Sequence, residues 1–345
     1  MRVGICGYPG SGKSTVFSAL APGAHSDGKG VAYGNIKVPD ERVDRLAAIF
    51  DPKKSVYAEI TFVDVGAGGR SARGAFPPEV LENMRNMDLL VHVVRGFDNP
   101  MLSEVADPAR DVALFHDELI LLDLAILEKR QDRWRRESRK GLAVEVNDRC
   151  VACLEAGAPL RTLELTEDEK ATLGGVQLIS RRPLLTLYNL SEEAWEDPAT
   201  AHLREPSTPE DGAMSMALCG SMETEIAQLD PDEQGEFLEA LGLGEPARNP
   251  FIRAAYQLLD LISILTCGPD ECRAWPVRRN TPARKTAGKI HSDMERGFIR
   301  AEVYRVEEIE EARTEAALKK QGKLRVEGKD YVVQDGDVFH VLFNV

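Results

Sequence analysis

Eight consecutive residues, Gly7-Tyr8-Pro9-Gly10-Ser11-Gly12-Lys13-Ser14, have the composition of a phosphate cradle. They fit the pattern G-x-x-x-x-G-K-[ST], in which glycines let backbone N–H groups close around phosphate oxygens. A helix starting there adds its partial positive charge, the lysine reaches the β- and γ-phosphates, and the serine hydroxyl can hold Mg²⁺. Gly10, Ser11, Gly12, Lys13, Ser14 and Thr15 are therefore the candidate triphosphate-binding residues. Farther on, Thr61-Phe62-Val63-Asp64 is an apolar run closed by an acid, the form of a Walker B element. Asp64 is placed to hold a Mg²⁺-bound water, which makes Ser14 and Asp64 the metal candidates and Lys13 and Asp64 the catalytic ones. The plain alternatives are a glycine-rich turn that binds nothing and an acid that merely ends a strand.

A nucleotide also needs its base held. Asn189-Leu190-Ser191-Glu192 follows an apolar run and has the form Asn-x-x-Glu, which resembles the base-reading Asn-Lys-x-Asp of GTPases with two changes. The aspartate of that motif accepts hydrogen bonds from guanine N1–H and N2–H₂, which adenine does not offer. A longer Glu192, and Leu190 in place of lysine, weaken the case for guanine. Ala217-Leu218-Cys219-Gly220-Ser221-Met222 is a strand running into a loop, whose backbone N–H groups can approach the base edge. Asn189, Glu192, Ser221 and Met222 are the candidates there.

The elements needed to position these residues are legible around them. Arg2 to Cys6 is a buried-strand run before the cradle, and Thr15 to Leu20 starts a helix after it. His25 to Gly34 reads as a glycine-containing loop, Val38 to Phe50 contains a helix, Val56 to Val65 a strand, Glu79 to Met87 a helix and Leu89 to Val94 a fully buried parallel strand. Strand, helix, strand is the doubly wound pattern. His92, inside the last run, reads as a satisfied core histidine. The glycine-rich stretch Gly66 to Gly74 looks like a switch loop ordered by nucleotide, with Arg70 and Arg73 as candidate arginine fingers. From Asp117 the apolar period becomes helical, and two antiparallel helices are expected up to about Glu155. Lys129 to Lys140 carries seven basic residues against two acidic ones. Leu184 to Tyr188 resumes the sheet. The last eighty or so residues read as a small mixed sheet, with strands at Arg273–Val277, Phe298–Tyr304, Tyr331–Val333 and Val338–Phe343 and a helix near Ile309 to Gln321. Between Arg273 and Arg300, eight basic residues face two acidic ones.

At 345 residues the chain exceeds the usual single domain, and two or three are expected. Nothing resembles a membrane span or a secretory leader, so an unprocessed cytoplasmic protein is expected. Six cysteines in a chain of this length make no disulfide framework, and reduced thiols are the simpler reading. Cys150 and Cys153 form a lone C-x-x-C on a helical pattern without a second pair at zinc-like spacing. A net charge of −14 argues against bulk attraction to nucleic acid, yet the two basic stretches are local exceptions.

Taken together, the N-terminal P-loop, Asn189 to Glu192 after a helical insertion, the tail Ala287-Gly288-Lys289-Ile290-His291-Ser292-Asp293 with Gly297-Phe298-Ile299-Arg300-Ala301-Glu302, and the ending Glu327-Gly328-Lys329-Asp330-Tyr331 through Asp335-Gly336-Asp337-Val338 to Phe343-Asn344-Val345 resemble the Obg-like ATPase (YchF) family over nearly the whole chain. The resemblance implies an α/β P-loop NTPase: a translation-factor-type G domain with a helical coiled-coil insertion and a C-terminal ubiquitin-like β-grasp (TGS) domain. Residues 1–112 and 174–265 would form the G domain, 113–173 the insertion and 266–345 the TGS domain. It also implies a preference for ATP, with Mg²⁺, and association with the ribosome or ribosomal RNA, the two basic stretches facing one cleft. A monomer with no membrane partner is expected.

The departures concern hydrolysis. Gly10-Ser11 stand where the family has Asn-Val, Asp-x-x-Gly becomes Asp64-Val65-Gly66-Ala67, and Gly68 stands where a hydrophobic residue replaces the catalytic glutamine of GTPases. No threonine lies between Thr15 and Thr61 to coordinate Mg²⁺. The reading is a slow ATPase whose nucleotide state controls docking on a ribosomal or RNA partner. Its alternatives are a non-hydrolysing nucleotide-binding adaptor and a GTPase with an altered base motif.

Overall fold

The computed structural model describes residues 1–26, 31–66, 76–241 and 243–344. Its strands are β1 (Arg2–Cys6), β2 (His25–Ser26), β3 (Ala32–Val38), β4 (Ser55–Val56), β5 (Ala58–Asp64), β6 (Leu89–Gly96), β7 (Leu184–Leu190), β8 (Ala213–Leu218), β9 (Leu261–Cys267), β10 (Cys272–Arg278), β11 (Phe298–Arg305), β12 (Arg325–Glu327) and β13 (Asp337–Phe343). The first helices are α1 (Lys13–Leu20), α2 (Glu41–Phe50), α3 (Pro78–Arg85), α4 (Pro108–Arg136) and α5 (Leu142–Glu155). Two compact units divide the chain: Met1–Ile36 with Thr61–Leu258, and Lys37–Ile60 with Leu259–Val345.

The first unit is built on a seven-stranded sheet in the order β2-β3-β5-β1-β6-β7-β8. β1 runs parallel to β5 and β6, β6 to β7, and β7 to β8. Every residue of β6 from Leu89 to Arg95 is buried, as a strand covered on both faces must be. In such a sheet ligands bind beyond the carboxyl ends of the strands. The P-loop follows β1, Asp64 ends β5, and Asn189 lies near the end of β7, so the predicted site residues share one edge. Two strands differ from the sequence reading. The segment read as loop, His25 to Gly34, holds β2 and the first residues of β3, whose Ile36 and Val38 are buried on one face. Gly34 within it masks the alternation, and the space a side chain would need there is taken by Ala21.

The insertion is the expected pair of helices joined by a short connection, closed by Ile120, Leu127, Val146, Cys150, Val151 and Leu154. Asp107 caps α4 by accepting from the Arg110 N–H, and Pro108 takes the first turn, where no N–H is needed. The charged helix expected to reach Lys140 stops at Arg136. The chain then reverses through Ser138 and Gly141 at positive φ. Trp134, 2 % exposed, has the guanidinium groups of Arg130 and Arg139 over its ring at 4.1 and 4.7 Å. Two of the seven basic residues are therefore packed onto an indole.

His92 is fully buried as expected, stacked at 3.9 Å on Phe115 and edge-on to Tyr8. It is not satisfied, however: neither ring nitrogen has a hydrogen-bond partner among the described residues. Burial, helped by the nearby His116 and Lys13, pushes its pKa down to about 3. An unfolded histidine titrates near 6.5, so between those values the unfolded chain binds a proton that the folded chain refuses. Stability contributed by His92 is thus complete above that range and falls as pH falls, by up to about 1.4 kcal/mol per pH unit. His92→Leu is expected to flatten the loss of stability between about pH 6.5 and 4 in urea unfolding. Identical slopes in both proteins would contradict this.

The second unit has a six-stranded sheet ordered β12-β11-β13-β9-β10-β4. Ile262, Ile264, Val277, Ala301, Val303 and Phe339 lie in its core. The segment from Lys37 to Ile60 joins it: Arg42 bridges Asp40 and Asp335, and Arg45 pairs with Glu307 and Glu310. Tyr331–Val333, read as a strand, makes only one bridge, Val332 to Pro282. The helix expected over Ile309 to Gln321 is two, Val306–Ala312 and Glu315–Gln321, broken where Arg313 turns to positive φ and Thr314 caps the second. The basic stretch after Arg278 holds a helix, Ala283–Ile290, where no element was read. Cys267 and Cys272, directly opposite on β9 and β10, are joined as a disulfide, where reduced thiols were the simpler expectation. No helix among the described residues is long and apolar enough to cross a membrane.

Candidate nucleotide site

The P-loop leaves β1 through Gly7 and enters α1 through Gly12. Both have positive φ, 149° and 83°. A Cβ on Gly7 would lie 2.5 Å from the Val93 carbonyl oxygen, and one on Gly12 would lie 2.2 Å from Asn189 Nδ2. No other residue type fits either place. Lys13, 4 % exposed, donates from Nζ to the Tyr8 carbonyl at 3.2 Å. Burial lowers its pKa, and the Asp64 carboxylate opposes that shift. Lys13 is a partly desolvated cation curled back on its own loop, held where a triphosphate would draw it out. Ser14 and Thr15 are exposed on the first turn of α1. Asp64, partly buried, accepts from the Gly66 N–H at 3.1 Å. Ser11 is 2 % exposed, and its hydroxyl has no partner among the described residues.

Asn189 joins the two halves of the site. Its Nδ2 donates to the Ser11 carbonyl at 3.1 Å, and its Oδ1 accepts from the Gly220 N–H at 3.0 Å. This buried amide ties the P-loop to the turn after β8. One N–H and one lone pair remain for a ligand. The Gly220 N–H is thereby committed to Asn189. Glu192 accepts from the Ser221 hydroxyl at 3.1 Å. Met222 is buried with Leu190, Trp195, Ala217 and Cys219, so its side chain belongs to the core.

A cavity of about 540 Å³ opens between these groups, lined by Gly12, Thr15, Phe97, Asp98, Asn189 and Glu192, among others. Phe97 and Asp98 were not singled out from the sequence. The available signal was their position just past the carboxyl end of β6, the place where a doubly wound sheet puts its ligand contacts. The loop beyond them crosses the P-loop, with Leu102 over Gly10. Ala67, Gly68, Arg70 and Arg73, in the expected switch loop, lie outside the described residues.

Asn189→Ala deletes both bonds and leaves two buried backbone groups unpaired. We expect a loss of about 2 to 4 kcal/mol of stability in urea unfolding together with weaker nucleotide binding. A stability change under about 0.5 kcal/mol would mean that the amide is not the brace.

The sequence profile named YchF-GTPase_C, described as a protein of unknown function (DUF933), matches residues 261–344. A Pasteurella multocida protein named ribosome-binding ATPase YchF is 36 % identical over 362 aligned residues, covering 100 % of this chain and 99 % of that one. The Bacillus subtilis protein of the same name is 35 % identical, with 100 % of both chains covered. Among solved structures, the YchF GTPase of Schizosaccharomyces pombe superposes with a TM-score of 0.85 at 26 % identity, covering 99 % of this chain and 97 % of that one. A GTP-binding protein from Pyrococcus horikoshii shares the fold, with a TM-score of 0.61 at 18 % identity over the full length of both. A P-loop, an Asn-x-x-Glu turn and a C-terminal sheet thus occur together in a chain that aligns end to end with these relatives, and it belongs to the YchF family.

Proposed function

We propose that this protein binds ATP with Mg²⁺ at the P-loop, hydrolyses it slowly, and uses the bound nucleotide to control its association with the ribosome in the cytoplasm. The observation that carries this reading is the convergence of Lys13, Ser14 and Asp64 with Asn189 and Glu192 along one sheet edge. Relatives aligned over the full length are named ribosome-binding ATPases.

The donor set fits a hard divalent cation, since Ser14 presents an exposed hydroxyl and Asp64 a carboxylate at the strand end. Mg²⁺ held there would neutralise charge on the β- and γ-phosphates. Adenine is the expected base, because Glu192 stands where guanine readers place aspartate. Leu190, 9 % exposed in an apolar cluster, replaces their lysine and cannot be charged without burying that charge. The altered residues after Asp64 and the missing switch threonine favour one second reading, an adaptor that binds nucleotide without cleaving it.

For the partner, the supporting feature is the exposed charge at the end of α4. Lys129, Arg136 and Lys140 have no acidic partner among the described residues, while Arg135 lies 3.7 Å from Asp132. Reversing charge with Arg135→Glu and Arg136→Glu is expected to weaken ribosome association about tenfold or more at moderate salt and to leave ATP affinity unchanged. Sedimentation with ribosomes at several salt concentrations checks this. Unchanged binding, or binding independent of salt, would remove α4 from the interface.

A further inference from the structure

A separate cavity in the first unit lies at the insertion, away from the nucleotide residues. It measures about 680 Å³ and is lined by four cations, Arg149, Arg161, Lys170 and Arg181, and by two acids, Glu164 and Glu169, among others. Two of its cations are committed. Arg149 donates to the Glu169 carboxylate and, at 3.1 Å, to the Glu164 carbonyl, and Lys170 pairs with Glu167 at 2.6 Å. Arg161 and Arg181 are not committed: neither guanidinium has a hydrogen-bond or ion-pair partner among the described residues, although both are only partly exposed.

A half-buried guanidinium without a carboxylate is costly. The backbone that carries both arginines is nevertheless braced. Buried Asp123 accepts from the N–H groups of Ile179 and Ser180 and from the Ser180 hydroxyl. The Ser180 hydroxyl also accepts from the Leu160 N–H at 3.3 Å, and the Ser180 carbonyl from the Arg161 N–H at 3.1 Å. This clamp joins the segments that carry Arg161 and Arg181. The arginine stem of Arg161 lies beside Gly212, where a Cβ would already touch it at 3.5 Å. Burial lowers the pKa of Arg161 to about 10, and Asp211 offsets this only in part.

We propose that this cavity is a second anion site, taking the phosphate monoester of a small molecule between Arg161 and Arg181. Guanidinium forks match phosphate oxygens in pairs, and a doubly charged monoester neutralises two of them. Leu160, Leu163 and Leu165 give the cavity an apolar wall for the rest of the ligand, and its volume suits a molecule of nucleotide size. The site is separate from the P-loop. Arg181 and Gly212 precede β7 and β8, whose opposite ends lead to Asn189 and Gly220, roughly 20 Å of strand away.

Equilibrium dialysis of the full chain against labelled inorganic phosphate and ribose 5-phosphate tests the proposal. The wild type and Lys13→Ala are expected to bind ribose 5-phosphate alike, saturably and in the millimolar range or tighter. Arg161→Gln and Arg181→Gln should each bind it about tenfold or more weakly while retaining wild-type ATP affinity, which shows that they fold. Loss of binding in Lys13→Ala would assign the anion to the P-loop and overturn the proposal. So would undiminished binding in both glutamine variants that bind ATP normally, or no saturable binding by the wild type. An RNA oligonucleotide displacing ribose 5-phosphate with a steep salt dependence would transfer the site to nucleic acid.

Discussion

Lys13→Ala is expected to weaken ATP binding by about 2 kcal/mol or more, roughly thirtyfold, while the protein stays folded. Both halves follow from where the ammonium sits. Lys13 is almost fully buried, its nearest hydrogen-bond acceptor is a neutral carbonyl, and burial works against its charge. That arrangement costs stability without ligand and is repaid when phosphate oxygens replace the carbonyl with a full negative charge. Removing the side chain relieves the cost and forfeits the repayment. Calorimetric titration measures the second, and urea unfolding of the nucleotide-free protein measures the first. An affinity unchanged by the substitution would mean that the loop holds no triphosphate.

The other large effect concerns rate. A P-loop NTPase without a positioned water or arginine finger is slow, since such groups are worth about 10³ to 10⁵ in turnover. This chain lacks a threonine between Thr15 and Thr61, and the family resemblance puts Ala67 and Gly68 where related enzymes sense the γ-phosphate and orient water. Basal ATP turnover is therefore expected at or below about 10⁻³ per second, comparable with unassisted P-loop GTPases. Arg70 and Arg73 are the arginines in that stretch. If ribosomes accelerate turnover, Arg70→Ala or Arg73→Ala is expected to remove most of the acceleration and leave the basal rate intact.

The candidate phosphate half of the site could be read from the sequence because its chemistry is local. Eight adjacent residues make the cradle, and one apolar run places the acid. The base half was legible only in part. Asn189 could be picked out as a candidate base contact, but its bracing role depends on Ser11 and Gly220, 178 and 31 residues away in sequence. Glu223 looks like an ordinary surface charge on a helix. It is buried, and it accepts from the Ala247 N–H across 24 residues. The membership of residues 37–60 in the second unit was hidden for a related reason. β4 is two residues long, and its parallel pairing with β10 leaves no periodicity to read. Short strands and buried polar braces are fixed by partners distant in sequence, which local patterns do not report.

The proposed function requires a site that prefers adenine and cleaves its nucleotide slowly. Single-turnover hydrolysis of ATP and of GTP, with binding measured in the same titrations, tests it most directly. The predicted result is ATP bound at least as tightly as GTP and cleaved at or below about 10⁻³ per second without a partner. A strong preference for GTP, or fast unassisted hydrolysis, would contradict it.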